Sequence, residues 1–117
     1  MNISIKATGH TLSEETRELV ESKFAKLGKL VGEEAQLSCE IEESIATVRA
    51  GARYRAEGNL SVEGQLYRAE ALGDTLEGAV DRARDELLSE LRQSKSRTRR
   101  LAKRGGAFVK SWLRFGS

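Results

Sequence analysis

Residues 53–91 read RYRAEGNLSVEGQLYRAEALGDTLEGAVDRARDELLSEL, and within this stretch the period of the apolar residues changes. Tyr54, Ala56, Gly58, Leu60 and Val62 alternate with polar neighbours. That is a strand with one buried face, starting near Val48 or Arg53. Glu63-Gly64-Gln65 is a short turn, and Leu66 to Leu72 returns as the partner strand of a hairpin. At Gly73-Asp74 the repeat lengthens. Leu76, Val80, Ala83, Leu87 and Leu91 fall within about 60° of one another on a 3.6-residue wheel, so a helix with one apolar stripe follows. Asp74 is expected to cap it, with Glu77 three residues on as a capping box requires.

Upstream, the same two periods recur. Ala35, Leu37, Cys39 and Ile41 face in over residues 35–42, and Gln36, Ser38, Glu40 and Glu42 face out. Ile3 and Ile5 mark a strand over residues 2–8, broken by Gly9-His10. Between the two lies a helix. Ser13 (or Thr11) is its N-cap, Glu14 and Glu15 suit the positive end of its dipole, and Gly28 or Gly32 ends it. Val20, Phe24, Leu27 and Val31 form its apolar stripe, widened by Leu19 and Leu30. The order is β-α-β-β-β-α. Strands with one polar face take helices on the other, which predicts an α+β two-layer sandwich: four strands with two helices on one side. The last helix is expected to reach about Arg100, roughly 39 Å at 1.5 Å per residue. A sheet of four strands does not require that length, so the C-terminal half should project. Residues 1–98 are read as one domain and 99–117 as a basic aromatic tail, jointed at Gly105-Gly106.

Composition narrows the function. A chain of 117 residues and 12.9 kDa, 32% charged and 38% hydrophobic, is one soluble domain. No run of 18 apolar residues occurs, and no secretory leader is expected at the N-terminus. The single cysteine, Cys39, forms no intramolecular disulfide and is expected to be a small core residue in a reducing cytoplasm. His10 is the single histidine, in a turn, and Glu40, Glu42 and Glu43 read as a solvated strand face rather than metal ligands. With no nucleophile, base and orienting group on one frame, the chain is not expected to be an enzyme. No cofactor, metal or small-molecule substrate is expected.

The net charge of +2 conceals an asymmetry. Residues 92–117 hold Arg92, Lys95, Arg97, Arg99, Arg100, Lys103, Arg104, Lys110 and Arg114, and no acid. The remaining 11 cations face all 18 acids, so residues 1–91 carry −7. An acidic body with a basic end points to a polyanion partner. Lys23, Lys26 and Lys29 add a slanting ridge on the first helix; if the helices lie side by side, one helical face carries two basic ridges. In the tail, Phe108, Trp112 and Phe115 share one helical face, with Lys110 and Arg114 off it. Such a segment suits stacking on unpaired bases, a protein groove or a membrane surface. The alternative function is therefore a peripheral membrane or protein-interaction module anchored by that tail.

Three stretches carry a family resemblance: Met1-Asn2-Ile3; Leu12-Ser13-Glu14-Glu15 through Lys23-Phe24-Ala25-Lys26-Leu27; and Arg68-Ala69-Glu70 through Gly73-Asp74-Thr75-Leu76-Glu77-Gly78-Ala79-Val80-Asp81. In these the chain resembles the ribosome hibernation-promoting factor / ribosome-associated translation inhibitor family, short form, over roughly residues 1–98. The resemblance implies two parallel helices on a four-stranded sheet. It also implies binding to the small ribosomal subunit, within 30S or 70S particles, between head and body, where mRNA and A- and P-site tRNAs sit. The rRNA contacts it implies are Lys23, Lys26 and Lys29 on the first helix, and Lys95 and Arg97 near the end of the second. Arg92, Arg99, Arg100, Lys103 and Arg104 join them by charge. Phe108, Lys110, Trp112, Arg114 and Phe115 are expected as tail contacts. The protein is expected to be cytoplasmic, a monomer when free, and not membrane-bound. One departure stands out: Glu86 and Ser89-Glu90 occupy positions where family members often carry a basic residue and then Arg-Gln. The resemblance is to the short form, so the C-terminal domain through which long forms pair ribosomes is not expected.

Overall fold

The computed structural model describes residues 1–9, 11–49 and 51–104, with Ala46 and residues 95–104 as backbone alone. Alternation builds the sheet. Strands β1 (Asn2–Thr8), β2 (Gln36–Glu42), β3 (Tyr54–Val62) and β4 (Gln65–Gly73) pair in the order β1-β2-β3-β4. β1 and β2 are parallel, as strands joined through a helix can be, and the other pairs are antiparallel. The register puts Ile5, Cys39, Gly58 and Ala69 in one row across the sheet, and Ile3, Leu37, Leu60 and Tyr67 in the next. These rows face the helices α1 (Glu14–Val31) and α3 (Leu76–Arg104), and the core lies between the two layers. This is the predicted α+β sandwich.

Close approach depends on small residues at the sheet centre. A Cβ built on Gly58 would come within 2.9 Å of Leu87 Cδ1 and 3.6 Å of Phe24 Cε1, so glycine makes room for the largest buried side chains of both helices. Gly64 does different work. Glu63 (φ 48°) and Gly64 (φ 82°) are the two central residues of the β3–β4 hairpin, both left-handed, as a type I′ turn demands.

Helix starts are set by hydroxyls. Ser13 Oγ accepts the Thr16 N–H at 3.1 Å and caps α1, and Gly32 ends it. At α3 the cap is Thr75, not Asp74: Thr75 Oγ1 accepts the Gly78 N–H at 3.0 Å and Thr75 O the Ala79 N–H at 3.1 Å. Glu77 therefore closes no box and turns toward α1.

One element was absent from the sequence reading. Residues Ile45–Arg49 form a short helix, α2, so β3 begins at Tyr54 and not near Val48. Thr47 explains it. Its hydroxyl is 2% exposed, accepts the Ser44 N–H at 3.0 Å, and reaches the carbonyls of Ser44 (2.7 Å) and Arg53 (3.0 Å). Closing that loop turns Ile45 and Val48 outward, apolar but exposed.

α3 runs to Arg104, four residues further than expected. Ala79 packs against Gly73 at one end of β4, and the Tyr67 hydroxyl donates to Ser94 Oγ at 2.9 Å near the other. Ten further helical residues, about 15 Å, follow Ser94. Only Gln65, Leu66 and the hairpin remain alongside them, so most of that segment lies beyond the sheet.

Candidate nucleic-acid interface

β1 and β4 run the same way, so the helices that follow them are parallel and packed side by side. This matters because both helices change sign along their length. α1 opens with Glu14, Glu15, Glu18 and Glu21, then carries only Lys23, Lys26 and Lys29. α3 holds Glu77, Asp81, Asp85, Glu86 and Glu90 up to Leu91, then seven cations and no acid from Arg92 to Arg104. Parallel packing points the two gradients the same way, each helix with its acids toward the positive end of its own dipole and its cations toward the negative end. They are offset along the seam, since Lys23 in the basic half of α1 meets Glu77 and Asp81 at the start of α3.

The basic candidates divide into three groups. Lys26, Lys29 and Arg92 are exposed and form no ion pair among the described residues. Lys23 is placed differently. Its ammonium lies 2.8 Å from Glu77 Oε1 and 3.3 Å from Asp81 Oδ1, and its side chain is 24% exposed. The Glu77 and Asp81 carboxylates together raise its pKa. Lys95, Arg97, Arg99, Arg100, Lys103 and Arg104 stand on the helical backbone, and their side chains lie outside the described residues. So do the tail contacts Phe108, Lys110, Trp112, Arg114 and Phe115, the Gly105-Gly106 joint and His10.

The opposite face of the sheet has its own electrostatics. Glu40, Glu57 and Glu70 stand in register across β2, β3 and β4, three carboxylates in a row. Arg55 bridges the row. Its guanidinium contacts Glu42 and Glu57 at 2.8 Å, Glu40 at 3.0 Å and Glu70 at 3.4 Å. Hydrogen bonds from Asn59 and Arg55 hold the Glu57 carboxyl at about 2, and Arg55 and Ser44 lower that of Glu42. Sequence reasoning treated Glu40 and Glu42 as a solvated face and missed this hub. The signal needed was the β2–β3 register, which alone sets Arg55 opposite Glu42. Cys39 is buried in the core, and burial pushes its thiol up to about 12. Among the described residues no group of His, Cys, Asp and Glu could hold a metal ion, and no helix is long and apolar enough to cross a membrane.

The family model described as sigma 54 modulation protein / S30EA ribosomal protein matches residues 3–99. The chain belongs to this family. Its members are ribosome-associated hibernation and translation-modulating factors, as the resemblance implied. Among solved structures the chain is similar to the N-terminal domain of Protein Y from Thermus thermophilus. Identity is 28%, the match covers 77% of this chain and 94% of that one, and the TM-score is 0.65. It also resembles a ribosomal subunit interface protein from Coxiella burnetii in fold, at 20% identity, 82% and 99% coverage and a TM-score of 0.66. No curated protein matches the chain. The S30EA match ends at residue 99, so the last five residues of α3 and the tail lie outside it.

Proposed function

We propose that this protein binds the small ribosomal subunit between head and body, through rRNA phosphates, and inhibits translation by occupying the path of mRNA and the A- and P-site tRNAs. Membership of a ribosome-associated family supports the partner. One observation carries the mode of binding: parallel packing points the basic ends of both helices the same way. Lys26, Lys29 and Arg92 lie on the described surface, and the acid-free end of α3 extends beyond the sheet. Phosphates along folded RNA meet such a surface with release of counterions, and no reaction is required.

The protein then acts in the cytoplasm, as a monomer when free, by occupancy and not by turnover. Titration into a translation extract tests this. Inhibition is expected to reach completion near one protein per ribosome and to be relieved by adding ribosomes. Complete inactivation at a small fraction of the ribosome concentration would indicate catalysis and would refute the proposal.

A further inference from the structure

Glu77 and Asp81 stand one helical turn apart on the side of α3 that faces α1. Lys23 reaches across the seam and places its ammonium between them, at 2.8 Å and 3.3 Å. Asp81 also contacts Arg84 at 3.0 Å, and Arg84 contacts Asp85 at 2.9 Å. The seam thus carries alternating charges: Glu77, Lys23, Asp81, Arg84, Asp85. Lys26 and Lys29, one and two turns further along α1, are exposed and form no ion pair among the described residues. Three lysines that look equivalent in sequence therefore occupy two different situations. To contact a phosphate, Lys23 would leave Glu77 uncovered and Asp81 to Arg84 alone beside a polyanion, and like charges so placed repel.

We infer that Lys23 is a positioning residue of the RNA interface and not a phosphate ligand: it masks Glu77 and Asp81, so that a polyanion can settle on Lys26, Lys29 and Arg92. The inference rests on the ribosomal reading above. It gives Glu77 and Asp81 a use at the α1–α3 seam, where Lys23 covers their charge. It also assigns the effect of losing Lys23 to two acids on another helix.

Affinity for purified 30S particles, measured across 50 to 200 mM salt, separates the roles. Lys23→Met leaves Glu77 bare and Asp81 to Arg84 alone, and is expected to weaken binding about fivefold, with the salt slope unchanged. Adding Glu77→Gln and Asp81→Asn to Lys23→Met removes the charges that needed masking. This triple variant is expected to bind at least as tightly as the wild type. Lys26→Met, which removes an exposed cation, is expected to lower the salt slope by about one. If the triple variant stays as weak as Lys23→Met, with the slope also reduced by about one, Lys23 is a direct phosphate ligand and the inference is wrong. Thermal melts of each variant guard against misfolding, and the triple variant decides the matter even if Lys23→Met is unstable. Failure of the wild-type protein to bind 30S particles at 50 mM salt overturns the ribosomal reading itself, and the masking role with it.

Discussion

The hydroxyl of Tyr67 on β4 donates to Ser94 Oγ on α3 at 2.9 Å, and this contact marks where the helix leaves the sheet. Leu91, three residues earlier, is the last core residue of the helix among the described residues. Under the proposed mode of binding, stability and binding fall to different parts of one continuous helix. A chain ended after Arg100 is expected to keep its melting temperature within a few degrees. It should bind ribosomes at least tenfold more weakly, about 1.4 kcal/mol. Parallel melts and 30S pull-downs check both halves of the statement.

Gly58 and Leu87 are coupled by lack of space. Leu87→Ala is expected to destabilise by roughly 2–5 kcal/mol, the cost of emptying a fully buried leucine site. Gly58→Ala is expected to cost about 1–3 kcal/mol, because its methyl would press on Leu87 Cδ1. The double variant should be more stable than the sum predicts, since the space left by Leu87 receives the new methyl. Strict additivity in urea melts would contradict this packing.

The Arg55 hub makes stability depend on acid. Glu57 titrates at about 2 in the folded chain, below the roughly 4.3 of an unperturbed glutamate. Its stabilising contribution is complete above the unfolded value and is lost as pH falls from there toward 2. Melting temperature should therefore drop over that window. Glu57→Gln is expected to melt lower at pH 7, with its curve converging on the wild type as pH falls. A gap that stays constant with pH would remove the ion pairs from the explanation.

How far the sequence could be read depends on whether a feature is local or cross-strand. The four strands and the stripes of α1 and α3 follow from period alone, and Val20, Phe24, Leu27, Val80, Ala83, Leu87 and Leu91 are all buried as that period requires. The hairpin turn was equally local. The cap of α3 is Thr75 and not the expected Asp74, because it is the Thr75 hydroxyl that reaches the Gly78 N–H. α2 was not legible, because it depends on Thr47 bonding Arg53 six residues away. The same limit applies to the interface. Lys23, Lys26 and Lys29 share a spacing, but Lys23 meets Glu77 and Asp81, more than fifty positions along the chain. Parallel helix packing, which points the two basic ends the same way, is likewise a property of the topology.

Binding should be strongly salt-dependent. If about six phosphates are contacted, affinity for 30S particles falls on the order of 10³-fold between 50 and 200 mM salt. Lys26→Glu with Lys29→Glu is expected to weaken binding without lowering the melting temperature, since both side chains are exposed. A flat salt response would exclude the electrostatic mechanism.

Competition on the small subunit tests the central claim most directly. Labelled protein is bound to purified 30S particles, and mRNA with A- and P-site tRNAs is titrated in. The account predicts one protein per particle and its complete displacement as the decoding path fills. Undiminished binding to particles fully occupied by mRNA and tRNA would contradict it.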